Sequence, residues 1–155
     1  MVQRKKMQWF GFAILLLVIG FFGARYGIKA MSSAPSLGVQ EGKFTPLPNR
    51  PNCVSSQTEV SEKKVEPLSF QGPIANARQK LLQCIQQIPT ATILLQKENY
   101  IRVETRSSLL GFIDDTEFYL EEGKIQIRAS SRLGYSDFGV NRKRVDTIRN
   151  LFESK

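Results

Sequence analysis

The chain opens on an unbroken apolar block. Residues 7–24 carry no charge and contain the run Trp9-Phe10-Gly11-Phe12-Ala13-Ile14-Leu15-Leu16-Leu17-Val18-Ile19. As a helix, this block covers roughly 27 Å, close to the hydrocarbon thickness of a bilayer, so it predicts a transmembrane helix. Arg4, Lys5 and Lys6 precede it, Arg25 and Lys29 follow it, and the balance of positive charge favours a cytoplasmic N-terminus. Trp9, Phe10 and Tyr26 stand near its ends, where interfacial aromatics belong. A cleaved signal peptide is the competing reading, with Ser32-Ser33-Ala34 at the cleavage spacing. Arg25 and Lys29 occupy a region that such a peptide leaves uncharged, which favours an uncleaved anchor. Both readings export the rest of the chain to a periplasmic or lumenal side.

Periodic patterns return only after residue 72. Between residues 31 and 52, Ser32, Ser33, Pro35, Ser36, Gly38, Gly42, Pro46, Pro48 and Pro51 break helices and predict a linker or extended strap. The charged stretch 59–66 reads as a solvated loop. Gly72-Pro73 opens a helix that Pro89 closes, with Ile74, Ala77, Leu81, Ile85 and Ile88 on one face. Strand signals follow: residues 92–96, a polar turn at 97–99, then 100–106, where Ile101, Val103 and Thr105 oppose Arg102, Glu104 and Arg106. Residues 109–113 form a further apolar run, Asp114-Asp115-Thr116 reads as an acidic turn, and 117–120 as another strand piece. In residues 124–130, Ile125, Ile127 and Ala129 oppose Lys124, Gln126, Arg128 and Ser130. A last helix from about Asn141, its N-cap, buries Val145, Ile148 and Phe152. The predicted fold class is α+β: a small antiparallel sheet of four to five strands flanked by two helices on one face, preceded by an N-terminal transmembrane helix. The segments are 1–30, membrane anchor or signal peptide; 31–52, linker; and 53–155, exported domain.

Composition narrows the chemistry. None of the 155 residues is histidine and only two are cysteine, which excludes Ser-His-Asp and Cys-His relays, His-based zinc and four-thiolate metal sites. The net charge of +8 is uneven: +5 in residues 1–30, zero in 31–73, −1 in 74–127 and +4 in 128–155. An exported domain with little excess charge and no basic-aromatic strand motif is not expected to bind nucleic acid. Cys53 and Cys84 could close one disulfide, or Cys84 could simply be a core residue of its helix.

The densest cluster of unusual residues runs from Ile127 through Arg128-Ala129-Ser130-Ser131-Arg132-Leu133-Gly134-Tyr135-Ser136-Asp137-Phe138-Gly139-Val140-Asn141-Arg142-Lys143-Arg144 to Val145. Together with Pro51-Asn52-Cys53-Val54-Ser55-Ser56 and Phe112-Ile113-Asp114-Asp115-Thr116-Glu117-Phe118, it resembles the domain-of-unknown-function family 1499, over residues 38–152. The resemblance implies a compact exported domain of bacteria and chloroplast-bearing eukaryotes, often behind a signal or anchor, and no established activity. Members commonly carry a second cysteine six residues before the Pro-Asn-Cys cysteine; Leu47 stands there, so the short-loop disulfide that pattern suggests cannot form. The usual Arg-Ser-Ala-Ser-Arg order is here Arg128-Ala129-Ser130-Ser131-Arg132.

Two readings of this cluster stand side by side. In one, Asp137 pairs with Arg132 or Arg144 and pins a loop to the sheet, with Arg142, Lys143 and Arg149 solvated. In the other, Arg128, Ser131, Arg132, Tyr135, Asp137, Asn141, Arg142 and Arg144 form a candidate ligand site, a guanidinium pocket for a carboxylate, phosphate or sulfate group. The expected function is a single-pass membrane protein whose domain is a binding or assembly module rather than an enzyme. Its expected partners are the membrane, a membrane protein complex or an anionic head group, and neither cofactor nor metal is expected. The alternatives are a hydrolase-like enzyme using Asp114, Asp115 and Ser131, and a redox-sensitive structural protein using Cys53 and Cys84.

Overall fold

The computed structural model describes residues 2–154, with side chains from Trp9 onward. Met1 and Lys155, the outer residues of the expected segments, and the side chains of Arg4, Lys5 and Lys6 lie outside what is described. Helix α1 (Val2–Met31) is continuous. Its stretch Trp9–Met31, 23 residues, is long and apolar enough to span a membrane or to act as a signal sequence.

The chain then forms a two-stranded hairpin, β1 (Val39–Gln40) with β2 (Lys43–Phe44), and enters the main sheet as β3 (Cys53–Ser55). A 3-10 turn at Ser61–Lys63, β4 (Leu68–Ser69) and α2 (Ile74–Gln86) follow. A meander of β5 (Ala91–Gln96), β6 (Tyr100–Arg106), β7 (Ile113–Glu121) and β8 (Lys124–Ser131) leads into α3 (Val140–Glu153). The sheet is antiparallel in the order β3-β8-β7-β6-β5, with β4 also on the outer edge of β8.

The α+β class and the short antiparallel connections are as predicted, but the sheet has six strands rather than four to five, and a second small sheet precedes it. The extra strands come from residues 53–69, in pieces of two or three residues that are too short to show alternation in sequence. The sequence also misplaces one turn. Residues 107–112, including the apolar Leu109 and Leu110, form the β6–β7 connection, with Gly111 at φ 77°. Asp114 and Asp115 lie inside β7, paired in register with Thr105 and Glu104 of β6 and with Ser131 and Ser130 of β8. Aspartates tolerate a strand interior here because arginines answer both of their charges.

Alternation sorts the sheet into two faces. Ile101, Val103, Phe118, Leu120, Ile125, Ile127 and Ala129 pack with Val54 and Leu68 against α2 and α3, forming the core with Ala77, Leu81, Cys84, Ile85, Val145, Ile148 and Phe152. Both helices lie on this face, as their apolar stripes predicted. The other face carries Tyr100, Arg102, Glu104, Asp115, Glu117, Arg128 and Ser130, and residues 32–50 cross it as a strap. Val65 is buried within the stretch 59–66 that reads as a solvated loop.

Phe118, fully buried at the centre of the helix-side layer, sets a measurable stability. Phe118→Ala is expected to cost about 3–5 kcal/mol through lost burial and the cavity it leaves, read as a lower urea midpoint of the intact chain in detergent.

Candidate functional site

Two polar networks meet at one end of the sheet, one on each face. On the strap face, Glu117 of β7 is completely buried. Its Oε1 accepts a hydrogen bond from Tyr100 Oη at 2.7 Å, and its Oε2 accepts one from Arg128 Nη1 at 2.9 Å. Arg128 also donates to the strap, with Nε to the Thr45 carbonyl at 2.9 Å and Nη2 to that of Pro46 at 3.4 Å, and two of its five N–H groups stay uncommitted among the described residues. One step along the sheet, Arg132 grips Asp115 through Nε at 2.7 Å and Nη2 at 3.0 Å, and reaches Glu104 at 2.8 Å. Arg102 adds a bond to Asp115 at 2.8 Å, and Arg106 pairs with Glu104 at 2.6 Å. The paired fork geometry of Arg132 on Asp115 is the stronger form of ion pair. Its Nη1 donates to the Ser32 carbonyl at 3.3 Å, just beyond the end of α1.

On the helix face, Asn141 is the hub. Its Nδ2 donates to the Asn52 carbonyl and to Ser131 Oγ, both at 3.0 Å, while its Oδ1 accepts from Arg144 Nη1 at 2.8 Å. Arg144 also pairs with Asp114 at 2.7 Å. Asn52 Nδ2 in turn holds the Gly134 carbonyl at 2.7 Å.

The expected site residues therefore do not form one pocket. Arg128 and Arg132 project to the strap face, whereas the Ser131 hydroxyl, Asn141 and Arg144 join the helix-face network. Asn141 is not the N-cap of α3: Gly139 takes that position with φ 79°, and Asp137 serves the helix end from outside, accepting from the Gly139 and Asn141 amides at 3.0 and 2.8 Å. Asp137 thus pairs with neither Arg132 nor Arg144, whose partners are Asp115, Glu104 and Asp114. Arg142 and Arg149 are not merely solvated. Arg142 donates to the carbonyls of Lys64 and Glu62, and Arg149 to those of Pro67 and Glu66, clasping the segment after β3 onto α3. Tyr135 stands exposed on the β8–α3 loop.

The grouping required for hydrolysis is not assembled either. Asp115 and Asp114 point to opposite faces, each held by arginine, and Ser131 Oγ accepts from an amide rather than facing a base. Cys53 and Cys84 do not form a disulfide. Cys84 sits in the helix-side core, while Cys53, in register with Ser130, lies on the strap face with Sγ near the Pro48 and Arg50 carbonyls. Burial pushes the Cys53 thiol up, against the lowering influence of Lys63 and Arg128, so it is held as a thiol.

Between strap and sheet lies a cavity of about 370 Å³. Its floor includes Asp115, Arg128, Ser130 and Arg132, and the strap supplies Pro46, Pro48 and Arg50. Arg50 is exposed at its edge; one Nη donates to the Gly134 carbonyl at 3.2 Å, and no carboxylate pairs with it among the described residues. Sequence reasoning singled out Arg128 and Arg132 but not Tyr100, Arg102, Glu104, Arg50 or Asn52. The alternating charges on β6 and β8 were visible, but a solvated sheet face shows the same alternation, and only the covering strap turns it into a buried network.

Burial pushes the Glu117 carboxyl up from its ordinary value of 4.5, outweighing the lowering effects of the Tyr100 hydrogen bond and the Arg128 charge. Burial and the bond to Glu117 push the Tyr100 phenol up as well, so it remains a donor at neutral pH. The pair of Glu117 with Arg128 is thus held by its enclosure and its hydrogen bonds rather than being an intrinsic gain.

These features define a small α+β domain behind an N-terminal apolar helix, with its polar residues organised around one end of an antiparallel sheet. The chain belongs to the family described as a protein of unknown function, DUF1499, whose model matches residues 43–152, from β2 to near the end of α3. The match includes every side chain of both networks and leaves α1 and the Ser32 carbonyl outside. No curated protein matches the chain.

Two measurements check the strap-face network. Arg128→Met should cost about 3–5 kcal/mol by leaving Glu117 buried without its cation, and adding Glu117→Gln should recover part of that loss in a denaturation cycle. An acid with a raised folded value keeps its proton longer in the folded chain, so its contribution is full below 4.5 and is lost as pH rises through the raised value. Glu117→Gln should therefore flatten that downward segment of the stability curve.

Proposed function

We propose that this chain is a membrane-anchored binding module, with its domain on the exported side and a small anionic group as its ligand, held in the cavity between strap and sheet. The single observation that carries this reading is Arg50. It places a guanidinium without a carboxylate partner, among the described residues, at the edge of a cavity whose floor already holds Arg128 and Arg132. The two floor arginines are neutralised by Glu117, Asp115 and Glu104 and act as a rigid donor surface. Arg50 supplies the charge that an incoming carboxylate, phosphate or sulfate would answer. Ser130 lines the same floor, its hydroxyl engaged among the described residues only by a 3.5 Å contact to the Ser131 carbonyl.

Nothing in this arrangement activates a nucleophile. Cys53 is a thiol by burial, Tyr100 is a phenol bonded to Glu117, and the carboxylates are committed to arginines. This supports a binding role in preference to the hydrolase-like one. The charges flanking the apolar block, Arg4, Lys5 and Lys6 before and Arg25 and Lys29 after, support a cytoplasmic N-terminus with the domain beyond the membrane.

The test is a titration of the intact protein in detergent with phosphate, sulfate and short carboxylates, following thermal unfolding. A ligand at a hundred times its dissociation constant should add about 2.7 kcal/mol of stability. Arg50→Ala, which leaves the buried pairs intact, should weaken binding about tenfold, equivalent to about 1.4 kcal/mol, whereas Lys143→Ala on the far helix should not. An unchanged melting point with every anion would exclude the cavity as an anion site.

A further inference from the structure

We infer that the end of the sheet carrying the β6–β7 loop (107–112) and the β8–α3 loop (132–139) rests on the bilayer that α1 spans, with Leu109 and Phe138 entering its interface. The inference rests on the reading of α1 as a membrane span; it does not need the cavity to bind an anion.

Three contacts fix where this end lies relative to α1. Arg25 is the first charge after the uncharged block 7–24, and its Nη1 donates to the carbonyls of Ser108, at 3.1 Å, and Leu109. Gly111 turns the loop at φ 77° with its backbone against the same guanidinium, 3.8 Å from where a Cβ would stand. Arg132 holds the Ser32 carbonyl one residue beyond the helix. Arg25 lies six residues before the end of α1 at Met31, about 9 Å back along the axis. The 107–112 loop therefore reaches back beside the helix to the level at which its apolar surface gives way to charge. On an inserted helix, that level is the boundary between acyl chains and head groups.

The side chains at this end suit such a position. Leu109 is 69% exposed and Phe112 37%. The Arg132 amide donates to the Ile113 carbonyl at 2.9 Å, so the 132–139 loop leaves the sheet beside the 107–112 loop. On that second loop Tyr135 is 74% exposed and Phe138 90%. Phe138 is one of two non-glycine residues with positive φ among the described residues, at 53°, between a Ser136 hydroxyl that accepts its amide and the Asp137 cap of α3. A strained backbone thus holds an aromatic ring away from the domain. Leucine, phenylalanine and tyrosine, flanked by Arg25 and Lys29, match the interface, where aromatic rings sit at head-group level and cations meet phosphates.

Fluorescence of the full chain in phosphatidylcholine vesicles tests this, because Trp9 is the only tryptophan. In the wild type, Trp9 reports on α1 itself. In a Trp9→Phe background, Leu109→Trp and Phe138→Trp each report on one loop, and both positions are exposed, so neither change disturbs the core. The expected result is blue-shifted emission from both loop probes, quenched several-fold more by lipids brominated near the glycerol end of the chain than by lipids brominated near the methyl end. Water-like, unquenched emission from both loop probes, with Trp9 quenched, would overturn the inference and leave the anchor standing. An unquenched Trp9 would remove the anchor and the inference together. As a second check, adding Leu109→Asp to the Phe138→Trp chain should reduce the quenching of its loop probe, and no reduction would mean that the loops do not dock as one surface.

Discussion

The arrangement depends on the buried charge network beneath the strap. An antiparallel sheet with helices on one face ordinarily leaves the other to water. Here that face buries three carboxylates, Glu104, Asp115 and Glu117, together with arginines that answer them. Removing such charges from water is costly unless their hydrogen bonds are complete. Arg128 and Arg132 complete them and then reach past the carboxylates to the carbonyls of Thr45, Pro46 and Ser32. A segment that pairs only with itself, in the short β1–β2 hairpin, is thereby fastened to this face at Ser32 and at Thr45 and Pro46. The same bonds carry the position of the domain back to the last turn of α1.

The helix face answers with a second, separate network. Asn141 ties the first turn of α3 to the Asn52 carbonyl and to Ser131, and Arg144 closes it onto Asp114. Asp114 and Asp115, and Ser131 and Arg132, fall alternately into one network or the other, while Asn52 joins the helix-face network and Cys53 beside it faces the strap. Side chains along a strand alternate between faces, so a compact motif on a strand necessarily serves both sides of the sheet. The motifs are therefore the place where strap, sheet and last helix are locked together, and any ligand chemistry on the strap face is built on that lock.

Much of the fold was legible in the pattern. The apolar stripes of α2 and α3, the alternation in β6 and β8 and the turn at 97–99 all lie where hydrophobic periodicity puts them, because each is long enough for burial to impose its period. What failed was short or charged. β3 and β4 are formed by pairing to an edge that another part of the chain provides. Asp114 and Asp115 looked like a turn because aspartate favours turns, and nothing local announces the three arginines, at 102, 132 and 144, that make a strand tolerable there. Of the candidate cluster, alternation along β8 puts Arg128 and Arg132 on one face, as they stand, whereas Asp137, expected in one reading to pair with Arg132 or Arg144, caps α3 through backbone amides that no local pattern distinguishes from a guanidinium partner.

Composition and local periodicity were enough to establish the apolar N-terminal helix, the α+β class, the identity of the two core-facing helical stripes and the absence of histidine chemistry. Each follows from a residue count or from a period repeated along one element. The rest waited on the folded arrangement: which charges are buried, which arginine meets which carboxylate, that Cys53 and Cys84 lie on opposite sides of a sheet, and that Arg50 alone of the cavity's arginines has no carboxylate partner among the described residues. Those outcomes depend on residues as far apart as 32 and 132 being brought into contact. Local propensity says nothing about such pairings, because their free energy exists only once water has been excluded between them.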